Sequence, residues 1–375
     1  MPHDDARGFR FGIEAEYMLV GAADWRPLWY RDVSFATLNE ALESIPFDDL
    51  PPLDGLELEP PHRKLMPYVV EGYHVPDPDM NPIDLWPKGV EIRTPVCQSI
   101  HQCLDCLKTL FDQMQTALGK TGLRAVALSH HPVEHHFEGP QNKRRHDFWQ
   151  WAMTTMTTYG PDVNVSLPPE MFERLDLSDL HAKVNYYAPA LTALTLASPF
   201  RAGEPWRIRG RVGKSLRTYR RSVIAPAIEV HPQENGRLEF KPLEMTNSLV
   251  DFECYFLLWL TLLLDEELRG RASNESRIYD LGSVARLGLE SDTVVPRATE
   301  VLERAEARLP ELGFATSSLA RFWHRLERNE LPADRLVSLY DQHQSLRPVL
   351  EQLSVLSTGV EREQFGGERL ITTPR

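Results

Sequence analysis

The sequence has few cysteines and lacks any apolar segment long enough to cross a bilayer. Cysteine supplies only 4 of the 375 residues, which excludes a disulfide-rich scaffold and predicts a protein of the reducing cytoplasm. The most apolar stretch, 251–265, is too short for a membrane span and has charged residues at both ends, so it predicts a core helix. The first residues show no basic region followed by an apolar run, so no secretory signal is expected.

Positive charge and the common nucleotide-binding motifs are also scarce. The chain has 41 lysines and arginines against 54 acidic residues, a net charge of −13, which argues against nucleic acid or an anionic membrane as a partner. The sequence contains neither a Gly-x-x-x-x-Gly-Lys-Ser/Thr loop nor a Gly-x-Gly-x-x-Gly segment after a strand. This argues against P-loop and Rossmann sites, so any nucleotide must bind to another kind of site.

What the sequence does contain is four segments that alternate apolar with charged or polar residues: 9–20, 89–94, 161–167 and 237–242. This period of two is typical of β-strands that are buried on one face. Such strands predict an α+β fold, in which an antiparallel sheet packs its apolar face against helices and its charged face lines a wet cavity.

The charged faces of these strands would bring acidic residues into the cavity, namely Glu14, Glu16, Glu91, Asp162 and Glu239. Like charges about 5 Å apart repel by about 3 kcal/mol at an effective dielectric constant of about 20, so clustered carboxylates must take up protons or bind cations. For Glu14 and Glu16 alone, a solvated strand edge would be the simpler explanation. The repeated pattern instead favours a site for Mg²⁺, which prefers carboxylates, retained waters and substrate phosphates.

The remaining patterns predict elements around this sheet. Helices are predicted over 34–45, 99–120, 145–159 and 178–198, and further strands over 25–30 and 123–128. The stretch 46–87 is rich in proline and acidic residues and predicts long loops over the site. Residues 296–356 predict helices that wrap the outside. Because no repeat or linker interrupts the pattern, we expect a single domain over residues 1–375.

Two groups of residues could be zinc ligands. Cys103 and Cys106 form a Cys-x-x-Cys, but the helical spacing of apolar residues around them favours small buried side chains on a helix. The histidines of 129–136 lack the spacing of a known metal site, which favours a loop with one or two substrate-facing histidines.

A basic stretch at 201–221 stands out in this acidic chain. It carries Arg201, Arg207, Arg209, Arg211, Lys214, Arg217, Arg220 and Arg221. Such a cluster suits the phosphate or carboxylate groups of a substrate, and a solvated loop is the alternative.

Five motifs, in order, resemble those of the glutamate–cysteine ligase and carboxylate–amine ligase family. They are Phe11-Gly12-Ile13-Glu14-Ala15-Glu16, the segment from Asp84 to Glu91-Ile92-Arg93-Thr94-Pro95-Val96, the segment 160–167, Ala197-Ser198-Pro199-Phe200, and the segment 238–244. The resemblance covers about residues 9–260. It implies a glutamine synthetase-type fold, related to that of the guanidino kinases, in which an antiparallel sheet forms a funnel with helices packed outside.

The resemblance also implies roles for individual residues. The predicted metal ligands are Glu14, Glu16, Asp84, Glu91, Asp162 and Glu239. Asp84 is included on the resemblance alone, and Asp162 stands where the family usually has histidine. The ions would be two or three Mg²⁺, with Mn²⁺ as a substitute. Lys241, which replaces a family arginine, is predicted with Arg217, Arg220 and Asn164 to bind ATP, and Glu14, Glu239 and Lys241 are predicted to be catalytic.

The function predicted from this resemblance is ATP-dependent ligation. A carboxylate, with the γ-carboxylate of glutamate expected first, would be phosphorylated and then attacked by an amine such as cysteine. The partners would be small-molecule substrates, and a homo-oligomer is compatible with the pattern. The alternatives are a phosphotransferase like the guanidino kinases, or a catalytically altered binding protein of the same fold.

Overall fold

The computed structural model describes residues 8–359, apart from 48–49, 54, 80, 140–151, 222 and 224. Its strands are β1 (Arg10–Gly21), β2 (Tyr68–Pro76), β3 (Pro82–Arg93), β4 (Leu123–Val126), β5 (Pro161–Ser166), β6 (Phe200–Arg201), β7 (Glu204–Pro205), β8 (Arg207–Ile208), β9 (Arg211–Val212), β10 (Ile228–His231) and β11 (Arg237–Phe240). Seven of them form one antiparallel sheet in the order β10-β11-β5-β1-β3-β2, with β4 paired to β1 beside β5. The four short strands β6 to β9 form two hairpins.

The alternation predicted for β1 determines the two faces of the sheet. Phe11, Ile13 and Ala15 are at most 1% exposed, whereas Glu14 and Glu16 between them face a partly solvated cavity. Strand β1 lies at the centre, with β3 on one side and β5 followed by β4 on the other. A one-residue shift of register would turn its acidic residues into the core, so burial of the apolar face fixes which side chains reach the cavity.

Helices cover the apolar face of the sheet. They are α1 (Phe35–Glu43), α2 (Ile100–Lys120), α3 (Pro169–Phe172), α4 (Leu177–Ala193), α5 (Leu216–Arg221), α6 (Leu249–Leu264), α7 (Asn274–Leu287), α8 (Val294–Arg308), α9 (Ala320–Arg328), α10 (Pro332–His343) and α11 (Arg347–Leu353). The predicted core helix at 251–265 is confirmed as α6, whose Trp259 stacks on Phe240 at 4.8 Å and donates a hydrogen bond to the Leu238 carbonyl at 3.1 Å. Helix α6 thereby holds β11 in place. In the described part of the chain, no helix is long and apolar enough to cross a membrane.

Two predictions for the N-terminal third are wrong. The loops predicted over 46–87 are interrupted, because residues 68–76 form β2 and residues 82–87 form the first half of β3, and the two strands pair over most of their length. Pro87 is tolerated in β3 because the register shifts at a bulge next to its partner, Gly72. Glycine is required at position 72, since a Cβ atom there would lie only 1.9 Å from the Trp86 carbonyl oxygen. The strand expected over 25–30 is reduced to one bridge between Val20 and Pro27.

Most of the other elements lie close to their predicted positions. Helices α1, α2 and α4 begin and end within a few residues of the predicted bounds, and Ser34, Ser99 and Asp176 cap their first turns through side-chain oxygens. Of the helix predicted over 145–159, residues 145–151 lie outside the described residues and residues 152–155 are helical.

Candidate active site

Three acidic residues converge at the middle of the charged face. Glu14 on β1 lies opposite Asp162 on β5, and Glu239 on β11 lies opposite Asn164 on β5. The carboxylate oxygens of Glu14, Asp162 and Glu239 lie within 4.8 Å of one another. The sheet register therefore brings together three of the six predicted metal ligands, although they are separated by more than 200 residues of sequence.

Burial weakens two of these acids. It raises the pKa of Glu14 to about 7, with Glu91 as a further cause, and it raises the pKa of Glu239 to about 7, with Asp162 as a further cause. Burial would also raise the pKa of Asp162, but Lys241 and Arg221 hold that pKa below its usual value. The Oδ1 atom of Asp162 is buried and has no hydrogen-bond partner among the described residues, so it is available to a cation.

Cations of the chain surround the three carboxylates. Lys241 Nζ contacts Glu239 Oε1 and lies 3.2 Å from Asp162 Oδ2. Arg237 Nη1 lies 3.3 Å from Glu14 and 3.1 Å from Glu239. Asn164 donates a hydrogen bond to Glu14 Oε1 at 3.1 Å. The predicted residues Lys241 and Asn164 therefore lie at the site. Arg237 was not among the predicted site residues, although it lies on the same strand, β11, as Glu239 and two residues before it.

A second group of acids lies further along β1. Glu16 is paired in register with Glu91 on β3, and Glu71 on β2 lies beside them, 3.8 Å from Arg93. Burial raises the pKa of Glu91 well above its usual value, even though Arg93 opposes the shift. Both Arg93 Nε and Nη2 donate to Glu91, at 3.1 and 3.0 Å. The sequence interpretation missed Glu71 because it assigned that segment to loops.

Asp84 does not join either group. It lies on β3 opposite Val75, not at a loop end as predicted, and its exposed carboxylate accepts a hydrogen bond from the Leu85 amide at 2.8 Å. Asp84 precedes Glu91 by seven positions, which is about 23 Å along an extended strand. Its metal-binding role stays a prediction to which this geometry gives no support.

The basic stretch divides into two parts. Residues 207–212 form an exposed hairpin, which agrees with the alternative of a solvated loop. Arg217, in contrast, lies on α5 and its side chain is buried. Arg217 is 2% exposed and donates to the carbonyls of Leu243, at 2.9 Å, and Lys241, at 3.3 Å. Burial, with Arg221 as a further cause, lowers the pKa of its guanidinium to about 10. Arg220 donates a hydrogen bond to the His135 carbonyl at 2.6 Å. Both arginines that were predicted to bind ATP therefore donate hydrogen bonds to backbone carbonyls.

A buried carboxylate that the sequence interpretation overlooked anchors α5. Glu244 is fully buried and accepts hydrogen bonds from the hydroxyls of Ser198, Ser215 and Thr218 and from the Ala197 amide. Two of these donors come from the family-like segment 197–200 and two from the basic stretch 201–221, whereas Glu244 ends the family-like segment 238–244. A buried carboxylate needs hydrogen-bond donors, but nothing in the sequence indicated that these segments meet.

The cysteines and histidines contribute little to the cavity. Cys103 and Cys106 are buried on α2, which confirms their placement as core residues. His130 and His131 do not face the cavity, because they are 1% exposed and bond to the carbonyls of His131 and Leu28. His135 and His136 in the same loop are exposed, so one or two substrate-facing histidines stay a prediction for them. Burial, with Arg220 as a further cause, lowers the pKa of His130 to about 3.

A cleft of about 160 Å³ opens beside Glu14 at the start of β1. Its charged lining has three arginines, Arg10, Arg93 and Arg237, and four glutamates, Glu14 among them. Arg93 and Arg237 are paired with carboxylates. A substrate in this cleft would therefore meet Arg10 and the amide of Asn164 next to the three converging carboxylates. The arrangement can therefore hold an anionic group and a cation side by side.

The family model of glutamate-cysteine ligase family 2 matches residues 10–209. No curated protein matches the chain by sequence. Among solved structures, the glutamate–cysteine ligase of Francisella tularensis in complex with AMP is 12% identical, with a TM-score of 0.58 over 92% of this chain and 87% of that one. The bifunctional glutathione synthetase of Pasteurella multocida is 16% identical, with a TM-score of 0.57 over 94% of this chain and 53% of that one.

A third similar structure is the complex between the prokaryotic ubiquitin-like protein Pup and its ligase PafA, at 13% identity and a TM-score of 0.56 over 94% of this chain and 72% of that one. The chain spans about half the length of the Pasteurella enzyme. At these identities the likeness concerns the fold, and it confirms the predicted α+β fold with an antiparallel sheet funnel.

Proposed function

The chain belongs to glutamate-cysteine ligase family 2, and from this premise we propose that it is an ATP-dependent ligase joining a substrate carboxylate to an amine. The observation that carries the proposal is the convergence of Glu14, Asp162 and Glu239, with Lys241 beside them, on the wet face of the sheet. Oxygen from a substrate carboxylate would attack the γ-phosphorus of ATP and release ADP. The amine would then displace phosphate from the acyl carbon and lose a proton.

The three converging carboxylates fit a hard divalent cation. They offer only oxygen donors, and the Oδ1 atom of Asp162 is buried without a partner among the described residues. Glu14, Asp162 and Glu239 would hold the ion. When bound, Mg²⁺ or Mn²⁺ supplies charge that offsets the phosphate oxygens.

The residues around the carboxylates would position the substrates. Lys241 offers an ammonium that stays charged, because its contacts with Asp162 and Glu239 raise its pKa despite burial, and this charge would stabilise the transferring phosphoryl group. Asn164 fixes the orientation of Glu14 through a hydrogen bond. Arg10 at the cleft is exposed and, among the described residues, donates a hydrogen bond only to the neighbouring Phe9 carbonyl, so it can bind an anionic substrate group.

Glutamate, through its γ-carboxylate, is the first carboxylate to test, and cysteine is one candidate amine. Support comes from the family description and from the Francisella glutamate–cysteine ligase, whose structure contains AMP. Arg10 would suit a substrate that carries a second carboxylate, since Arg93 and Arg237 are paired with protein carboxylates.

The test is a substrate screen. The purified protein is incubated with ATP, Mg²⁺, glutamate and a panel of amines, phosphate release is measured, and products are identified by mass. We expect phosphate release that depends on both the acid and the amine, with an amide product. Release of a stable phosphorylated product without an amide would indicate a phosphotransferase. No turnover with any pair of glutamate and amine would contradict the glutamate assignment.

A further inference from the structure

Lys88 is a buried cation at the far end of the acidic face from the cleft. Its side chain is 6% exposed, and its Nζ atom lies 2.7 Å from Glu16 Oε1. The remaining donors of the ammonium point at the carbonyl oxygens of Thr158, at 3.1 Å, and Thr155, at 3.5 Å. The Tyr159 ring lies beneath it at 5.7 Å. Lys88 is therefore held from four directions by protein groups.

These contacts use up the ammonium's capacity to bind. An ammonium has three donors and no acceptor, and all three donors are directed at protein oxygens. Lys88 consequently has no donor left for a substrate phosphate or carboxylate. Its partner is also engaged, because Glu16 Oε2 accepts a hydrogen bond from the Gly160 amide at 2.9 Å.

We propose that Lys88 is a built-in counter-ion that takes the place of a divalent cation at Glu16, so that metal binds at Glu14, Asp162 and Glu239 and not at Glu16. This inference rests on the proposed function and changes the predicted ligand set, since it removes Glu16 from it. The carboxylate oxygens of Glu16 belong to no group of three in the described chain that could hold a metal, whereas those of Glu14, Asp162 and Glu239 do.

Steric and electrostatic reasons make the two cations exclusive. Mg²⁺ binds carboxylate oxygen at about 2.1 Å, and the ammonium already lies 2.7 Å from the same oxygen. A divalent ion on Glu16 would stand within a few ångströms of a positive charge in a poorly solvated place, where repulsion is weakly screened. Lys88 cannot withdraw easily, because burial and its two carbonyl partners hold it in position. Lys241 differs, because its partners among the described residues are carboxylates and Asp162 Oδ1 beside it is still open to a cation.

The inference is tested by counting Mn²⁺ per chain in the absence of ATP, from the electron paramagnetic resonance signal of free Mn²⁺ during a titration. Glu16→Gln should bind as many Mn²⁺ as the wild type. Lys88→Met should gain one, held near the former ammonium position by Glu16 and the carbonyl oxygens of Thr158 and Thr155, and the double variant should lose that gain. Lys108→Met is the matched control, because Lys108 pairs with Asp112 on the exposed side of α2, and its count should not change.

Two results would overturn the inference. One is a lower Mn²⁺ count in Glu16→Gln, which would make Glu16 a ligand. The other is a folded Lys88→Met with the wild-type count. If Lys88→Met does not fold, Glu16→Gln decides alone. A wild type that binds no Mn²⁺ would overturn both this inference and the proposed function, whereas a failed ligase screen with the expected counts would overturn only the proposed function.

Discussion

At the scale of single residues, the acidity of Glu14 and Glu239 couples metal binding to pH. Burial raises the pKa of each to about 7, and both carboxyls must lose their protons to bind a cation. We expect Mn²⁺ affinity, measured by calorimetry, to rise between about pH 6 and pH 8. The rise should be about 10-fold for each carboxyl that must deprotonate. An affinity that stays flat over this range would show that the two acids are already ionised in the metal-free protein.

The same pKa values determine how stability depends on pH. The metal-free native state holds protons on Glu14 and Glu239 above pH 4.5, the ordinary pKa of a glutamate carboxyl, where the unfolded chain has lost them. The stability that these two carboxyls contribute therefore falls as pH rises from about 4.5 through about 7, the opposite of a salt-bridged carboxylate. Buried His130 and His131, whose pKa values are lowered to about 3 and about 4, have the opposite effect up to about pH 6.5. The fall is therefore read as the difference between the wild type and a Glu14→Gln/Glu239→Gln double variant. Added Mn²⁺ should reverse this fall, because it binds the ionised native site. Thermal unfolding followed by circular dichroism across this pH range measures both effects.

Changing Glu239→Gln should abolish ATP-dependent activity while leaving the fold intact. The amide keeps the size of the side chain but removes the charge that faces Lys241 and the proposed cation. We expect at least about a 100-fold loss of activity, the upper end of what an outer-shell partner of a metal costs. Phosphate release and circular dichroism measure the two effects.

Glu290→Gln is the matched control for Glu239→Gln. Glu290 also pairs with an arginine, Arg211, at 2.8 Å, but it is 56% exposed and does not line the cleft, so its loss should change activity little. Equal losses in both variants would show that the effect does not depend on the three converging carboxylates.

The sequence could identify a site residue where it predicted both the strand and the face of the strand on which that residue lies. Glu14, Asp162 and Glu239 were predictable because alternation placed each on the charged face of a strand. Glu71 was not, since it lies in the stretch 46–87 predicted as loops, and Lys88 was not, since it lies just before the strand predicted from residue 89. Glu16 shows a different limit, because its position on the charged face is as predicted, yet its ion pair with Lys88 depends on the fold around Thr158.

At the scale of elements, Glu244 joins α5 to the ends of neighbouring segments. Glu244→Ala would leave three hydroxyls and one amide without their acceptor in a fully buried place. We expect the free energy of unfolding to fall by at least about 3 kcal/mol, because each unsatisfied buried group costs about 1 to 3 kcal/mol. Urea denaturation measures the change.

Thr218→Val is the companion to Glu244→Ala, because it removes one hydroxyl from the same network and leaves the carboxylate with its other donors. Its cost should be about 1 kcal/mol. If the two variants lost equal stability, the hydroxyls would not be acting through Glu244, and the network would not anchor α5.

Elements were predictable where one pattern dominated the chain. Helices α2 and α6 carry long apolar stripes behind serine caps, and both were found. Strand β2 was not, because its region is rich in proline and acids. Its partner β3, which contains Pro87, can pair with it because Gly72 allows the two backbones to approach closely. The sequence does not show that this glycine is needed until the pairing of the two strands is known.

At the scale of the whole molecule, the C-terminal helices pack on the same core as the sheet. The buried ion pair between Asp251 on α6 and Arg325 on α9 has both side chains less than a tenth exposed. Backbone hydrogen bonds join Ala127 to Leu353 at 2.9 Å and Leu249 to Ser357 at 2.9 Å. The region matched by the family model ends at residue 209. Residues of this region therefore pack against partners that lie after it in the chain, such as Leu353 against Ala127.

A chain that ends after residue 290 should therefore fail to fold, as the prediction of one domain requires. It would leave Asp251 as an unpaired buried charge, which costs about 3 to 5 kcal/mol, and would uncover apolar surface on α6 as well. Native domains have only about 5 to 15 kcal/mol of net stability to lose. A chain that ends after residue 359 keeps all these contacts and should unfold in urea like the full chain, as followed by tryptophan fluorescence. A cooperative transition with an unchanged midpoint in the shorter chain would instead show that the sheet and its first helices are a domain on their own.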